Sequence, residues 1–234
     1  MYEAVHVDPA DPDSLRRVVE TAADYGFEGV VVRNHSDARL EYDVAEALSE
    51  PPIDVVAGVE IRAESPHQAS GSVGNFRSQY AILGVHGGTN ALNRFALETD
   101  KVDVLAHPMT ASGDVNHVLA KAAVENGVRL EFSLAPVLRT AGGRRVRAIQ
   151  SLRKLRELVD YYDAPYVVSG DPTGPLEIRA PRELRALGAE LGFDHEWIDA
   201  GLAEWGELAD RNRRIQSDSF IEPGVQRGRY ETQR

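Results

Sequence analysis

The chain has 234 residues, with 37 Asp and Glu against 26 Lys and Arg, a formal charge of −11 and no cysteine. That length suits one barrel-sized domain, and the lack of cysteine excludes disulfides, thiolate zinc sites and thiol catalysis. No apolar run approaches the roughly 20 residues that span a bilayer, and the first residues lack the n- and h-regions of a signal peptide, so a cytoplasmic protein with no membrane partner is expected.

Apolar, β-branched runs alternate with amphipathic stretches along the chain. A strand at 2–7 is followed by a helix with Asp11 as N-cap, Pro12 at its first position and Leu15, Val18, Val19 and Ala22 on one face. Further strands are expected at 29–34, 54–63, 80–86, 102–107, 128–134 and 166–171. A short helix is expected around 41–49, and longer ones at 90–98, 114–127 (with Asp114 as cap), 146–163, 181–191 and 194–210. The Ser/Gly-rich stretch 64–78 reads as a loop. In "VHGGTNALNR" the glycines allow a sharp exit from a strand and Thr89 caps the helix that begins at Asn90. Residues 1–215 form the expected domain, and 216–234 a polar, disordered tail.

Seven strands separated by helices imply repeated right-handed βαβ units. Polar residues recur at the strand ends in one structural phase: His6 and Asp8, His35, Glu60, His86, His107, Glu131 and Asp171. This favours an α/β fold of one domain, a TIM-like barrel, because barrel strand ends converge on a single face. Histidines and carboxylates gathered there form a set able to hold two or three divalent ions for phosphoester hydrolysis. Taken singly, each is more often a satisfied polar cap of a strand or helix.

A second cluster is basic. From Phe132 to Arg156 there is no acid, and Arg139, Arg144, Arg145, Arg147, Arg153, Lys154 and Arg156 fall in this window, "TAGGRRVR" reading as a Gly-Gly loop at a helix entrance. Only three basic residues in the chain are lysines (Lys101, Lys121, Lys154). An acidic, lysine-poor chain fits a salt-loving cell, where surface carboxylates keep the protein hydrated. At 1 M salt the Debye length is about 3 Å, so directed guanidinium–phosphate bonds survive better than a diffuse field. The run therefore suits an RNA partner; its plain alternative is a solvated helix face. P-loop, dinucleotide-binding and nucleophile-elbow motifs are absent.

"AVHVD", "VVRNHSD", "GVEI", "VLAHP" and "VVSGD" resemble the successive motifs of the polymerase-and-histidinol-phosphatase (PHP) metallophosphoesterases. Two histidines of that pattern are missing: Asp8 stands where the first motif ends in histidine, and Asp171-Pro172-Thr173 lacks the last. "GVEI", "VHGGTNALNRFALETDKVDVLAHP", "HVLAKAAVENGVRLEFSL" and "VVSGD…IRAPRELRALG" are more closely similar to the archaeal ribonuclease P protein component 3 family, in order and spacing. That resemblance implies a distorted PHP-type barrel in a noncatalytic subunit of a tRNA 5′-maturation endoribonuclease. The RNA subunit would do the cutting, and the implied partners are that RNA, precursor tRNA and other protein subunits, one of them dedicated. No catalytic residue is assigned. Candidate RNA contacts are His86, Arg94, Arg139, Arg144, Arg145, Arg147, Arg153 and Lys154, with Arg94 alternatively paired to Glu98. His6, Asp8, His35, Glu60, His107, Glu131 and Asp171 would be vestigial metal ligands. No tightly bound cofactor is expected, with Mg serving the RNA-based reaction. The alternative is a free-standing PHP-type phosphoesterase with Mn or Zn at the barrel face.

Overall fold

The computed structural model describes residues 1–217 and the backbone of Phe220–Glu222 and Val225–Gln226. Seven parallel strands follow one another round a nearly closed barrel in chain order: β1 (Tyr2–Val5), β2 (Gly29–Val32), β3 (Asp54–Ile61), β4 (Ile82–His86), β5 (Val104–Ala106), β6 (Arg129–Ser133) and β7 (Tyr166–Ser169). Between them run α1 (Pro12–Asp24), α2 (Val44–Ala47), α3 (Pro66–Phe76), α4 (Asn90–Leu97), α5 (His117–Asn126), α6 (Ala135–Arg139) and α7 (Gly142–Tyr162). α8 (Pro181–Leu191) and α9 (His195–Gln216) follow β7. This is the expected TIM-like α/β barrel.

Alternation along the strands builds two apolar layers. Val5, Val30, Val32, Val59, Leu83, Val85, Leu105, Leu130 and Val168 pack outward against the helices. Ala4, Val31, Val56, Ile82, Val104 and Val167 point inward and meet Trp205, Leu208 and Ala209 of α9. α9 thus plugs the base of the barrel. It also lies along the seam between β7 and β1, where an eighth strand would stand. The Trp205 indole N–H donates to the Val168 carbonyl at 2.9 Å. Two glycines allow the approach: a Cβ at Gly201 would lie 2.4 Å from Val168, and one at Gly206 would lie 2.7 Å from Tyr2.

Above the plug, side chain and backbone stitch the seam. His6 N–H donates to the Pro172 carbonyl at 2.9 Å. Buried Glu3 accepts the Gly170 N–H at 3.0 and 3.1 Å and that of Ala4 at 3.0 Å. Burial pushes the Glu3 carboxyl up to about 8, against the pull of those N–H donors. The folded protein then keeps a proton that the unfolded chain has lost, so stability falls as pH rises from about 4.5 to about 8. In Glu3→Gln that pH-dependent loss, on the order of 5 kcal/mol at most, is expected to vanish; thermal unfolding of both proteins across the window checks it.

Four local readings change. The stretch 64–78 is mostly helix α3, because Ser65 caps Gln68 N–H and Ala69 and Val73 bury one face. Its glycines, Gly71 and Gly74, face open space, which disguised the period. α5 is capped by Asn116, which accepts from Val118 and Leu119, whereas Asp114 pairs with Lys154. Gly142 and Gly143 form the first turn of α7 and not a loop before it. Where a tail was expected at 216–234, Phe220–Glu222 and Val225–Gln226 pair antiparallel; 218, 219, 223, 224 and 227–234 lie outside the described residues.

Candidate functional site

The inward phase that places Val31 on the plug places Arg33 two residues higher, in the middle of the barrel. It is buried, and its guanidinium binds three carboxylates at once. Nη1 donates to Glu60 Oε2 at 2.7 Å, while Nη2 donates to Glu131 Oε1 at 2.5 Å and to Asp171 Oδ1 at 2.9 Å. Its flat underside lies over Trp205, 5.5 Å from the ring centre. Ser169 Oγ donates to Glu131 at 2.6 Å and Ser133 Oγ to Asp171 at 3.3 Å, completing the acceptors. Burial alone would lower the guanidinium's pKa; the charges of Glu131, Glu60 and Asp171 outweigh it and raise the pKa above the ordinary value. Burial likewise drives the Glu60 and Asp171 carboxyls upward, but Arg33 and the histidines hold both well below the usual carboxylate range.

Four imidazoles cover this cluster. His6, His35, His86 and His107 stand in a row, with ring centres 4.6, 5.7 and 4.8 Å apart. Three of them approach one oxygen, Glu60 Oε1: His86 Nδ1 at 2.5 Å, His35 Nε2 at 3.5 Å and His107 Nε2 at 3.8 Å. His6 Nε2 lies 3.4 Å from Asp171 and His107 Nε2 lies 3.5 Å from it. His107 and Asp171 have φ of 50° and 51°, a left-handed conformation that costs a side-chain-bearing residue about 1–2 kcal/mol. The strain aims both side chains at the barrel axis.

The strand-end set is thus gathered, except for Asp8. That residue is exposed, and its carboxylate accepts the Ala10 N–H in a turn. Among the described residues two donor groups could hold an ion, His6/His35/Glu60 and Glu60/His86/His107, and they share Glu60. A hydrolytic centre of two or three ions needs its carboxylates free to bridge. Here Glu60, Glu131 and Asp171 are all engaged by Arg33, whose positive charge stands between them. The residues do not fit a multi-ion centre, and both candidate donor groups depend on the one carboxylate of Glu60.

Arg33 was missed in the sequence, where His35 was read as the polar residue ending β2. The available signal was phase: Arg33 follows Val31 by two, as Glu60 follows Gly58.

The basic residues separate into paired and free. Arg94 binds Glu98 at 2.9 Å. Arg139 donates to the carbonyls of Asp171 (2.8 Å) and Gly170 (3.2 Å), bracing the β7 exit. Arg145 donates to the Thr140 carbonyl, Arg153 to the Leu191 carbonyl, and Lys154 to Asp114. Among the described residues, only Arg144 and Arg147 of the candidate set have no acceptor.

The "HGGTNALNR" stretch is a strut. Buried Asn93 donates to the carbonyls of Pro108 (2.7 Å) and Asp114 (3.1 Å), fixing the loop from β5 to α5. Gly87 makes room for it: a Cβ there would lie 2.5 Å from Asn93 Oδ1 and 2.9 Å from the Ala106 carbonyl. Gly87→Ala is therefore expected to cost about 1–3 kcal/mol, measured as a lower denaturation midpoint.

A family model described as "RNase P subunit p30" matches residues 1–216. "Ribonuclease P protein component 3" of Natronomonas pharaonis is 57% identical over 225 residues, covering 96% of this chain and 94% of that protein. The protein of the same name from Haloarcula marismortui is 54% identical, covering 96% of each. Among solved structures, a chain of "archaeal Ribonuclease P with mature tRNA" superposes with a TM-score of 0.82 over the full length of both chains, at 23% identity, a likeness of fold.

Proposed function

We propose, from the fact that this chain belongs to the RNase P subunit p30 family, that it is a protein subunit of ribonuclease P, assisting removal of the 5′ leader of precursor tRNA. The whole-length family match carries this reading. The RNA subunit makes the cut, using magnesium that the RNA holds, and the chain itself supplies no catalytic residue. Its partners are that RNA, precursor tRNA and the other protein subunits of the particle, one of them a dedicated companion. The setting is the cytoplasm, and no helix among the described residues is long and apolar enough to cross a membrane.

The barrel face supports a noncatalytic role. A phosphoesterase would need its carboxylates for metal, and Arg33 takes them. Buried ionic clusters are retained in some proteins for specificity of fold, and this one ties the ends of four of the seven strands, β2, β3, β6 and β7, into one arrangement.

The test is reconstitution at multimolar salt. Precursor-tRNA cleavage by the RNA and the other subunits is followed with and without this chain. Faster cleavage, or cleavage at lower magnesium, is expected on adding it. No effect on cleavage, together with turnover of a phosphomonoester by the chain alone, would overturn the reading in favour of the hydrolase.

A further inference from the structure

Beside the histidine row, the β5–α5 loop and helices α6 and α7 enclose a cleft of about 680 Å³. Its inner end reaches His107 and Glu131, Met109 and Pro136 contribute apolar wall, and Arg144 and Arg147 stand at the outer edge. The volume is that of a small-ligand site.

Its charges are unbalanced in one direction. The two acids lining it are both spent: Glu131 on Arg33 at 2.5 Å, and Asp114 on Lys154 at 2.6 and 2.7 Å. Arg144 and Arg147 are exposed and bind no acceptor among the described residues. In a chain of formal charge −11 this cleft therefore carries two unmatched guanidinium groups and no unmatched carboxylate. α7 begins there without a side-chain cap, so its positive end adds to the same field.

We infer that this cleft seats one unpaired nucleotide of an RNA strand, its phosphates on Arg144 and Arg147 and its base in the slot leading to His107. The inference rests on the ribonuclease P reading and deepens it. Three features favour RNA in single-stranded form. Paired guanidinium forks match phosphate oxygens. A base splayed out of a loop stacks on histidine or arginine planes. A slot with one polar end and apolar walls takes a flat ring, whereas a duplex would meet only the rim.

The test uses the full chain and the ribonuclease P RNA, with affinity measured over a series of KCl concentrations and precursor-tRNA cleavage followed in the reconstituted particle. Arg144→Ala/Arg147→Ala is expected to flatten the salt dependence by about 1.4 in log–log slope, the worth of two single-strand phosphate contacts. Ala148→Trp fills the cleft from α7 without changing charge, and should weaken binding about tenfold or more, the worth of a stacked base. Thermal unfolding shows that each variant is folded. Should the arginine variant lose affinity while Ala148→Trp binds as wild type, the arginines act from an open surface and the cleft is overturned. Should both variants bind as wild type while wild type stimulates cleavage, the nucleotide site is overturned and the subunit role stands. A wild-type chain that neither binds the RNA nor alters cleavage overturns both.

Discussion

Arg33→Met is expected to lower the unfolding free energy by about 3–5 kcal/mol, the range for breaking a buried ionic network from one side. Methionine fills similar space, so the loss is electrostatic: Glu60, Glu131 and Asp171 remain buried with their shared cation gone. The pH dependence separates this from a packing defect. In the wild type, Glu60 and Asp171 have depressed pKa values, so the stability they contribute is present above their unfolded values and is lost as pH falls through the folded ones. In the variant the same carboxyls are held upward by burial, and protonating them relieves it. The deficit should therefore narrow as pH falls from about 7 towards 5. Manganese should raise the melting temperature of the variant more than that of the wild type, because the carboxylates and imidazoles there no longer have the guanidinium as counter-charge. Denaturant midpoints at multimolar KCl read the first effect. A variant as stable as wild type would mean the guanidinium does not hold the cluster.

Trp205→Ala should cost a comparable amount, about 3–5 kcal/mol. Trp205 is fully buried, closes the barrel base against Val31, Val56, Ile82, Val104 and Val167, and holds the seam through Val168. Trp205→Phe keeps most of the packing but leaves the Val168 carbonyl without its donor, so about 1–3 kcal/mol is expected for it. Because Arg33 rests on this ring, combining Trp205→Ala with Arg33→Met should cost less than the two losses added together. Strict additivity, measured as a double-mutant cycle, would show that plug and charge cluster are independent.

The barrel was legible in the sequence because parallel strands buried on both faces are continuous apolar runs, and seven of them stand out against polar helices. Strand-end phase also located His6, His35, Glu60, His86, His107, Glu131 and Asp171 on one face. Asp8 was misplaced because β1 ends at Val5, and three residues further on the chain has already turned away from the barrel axis. Arg33 was hidden by its neighbour His35, which matched a known motif. α3 was hidden by composition, since the Ser and Gly between Ala69 and Val73 read as loop although those two residues carry the helical spacing. The pairing of Arg139, Arg153 and Lys154 to carbonyls and Asp114 was not legible at all. It depends on which loops meet across the barrel, and charge patterning alone does not encode it.

The barrel's strand order also sets a timetable. Neighbouring strands are neighbours in sequence, so most of the sheet can form as the chain emerges, each strand adding to the last. The exceptions are the contacts that finish the molecule. Arg33 must wait for Asp171, 138 residues later, and Glu3 for Gly170, 167 residues later. At translation speeds of about 5–20 residues per second, Arg33 stands without that acid for roughly 7–28 s. Trp205 emerges later still, so throughout synthesis the growing half-barrel has an open floor and an unstitched edge. Chain length therefore acts as a gate. A nascent protein ending before α9 holds the strands of a barrel but none of the α9 contacts that shut its base.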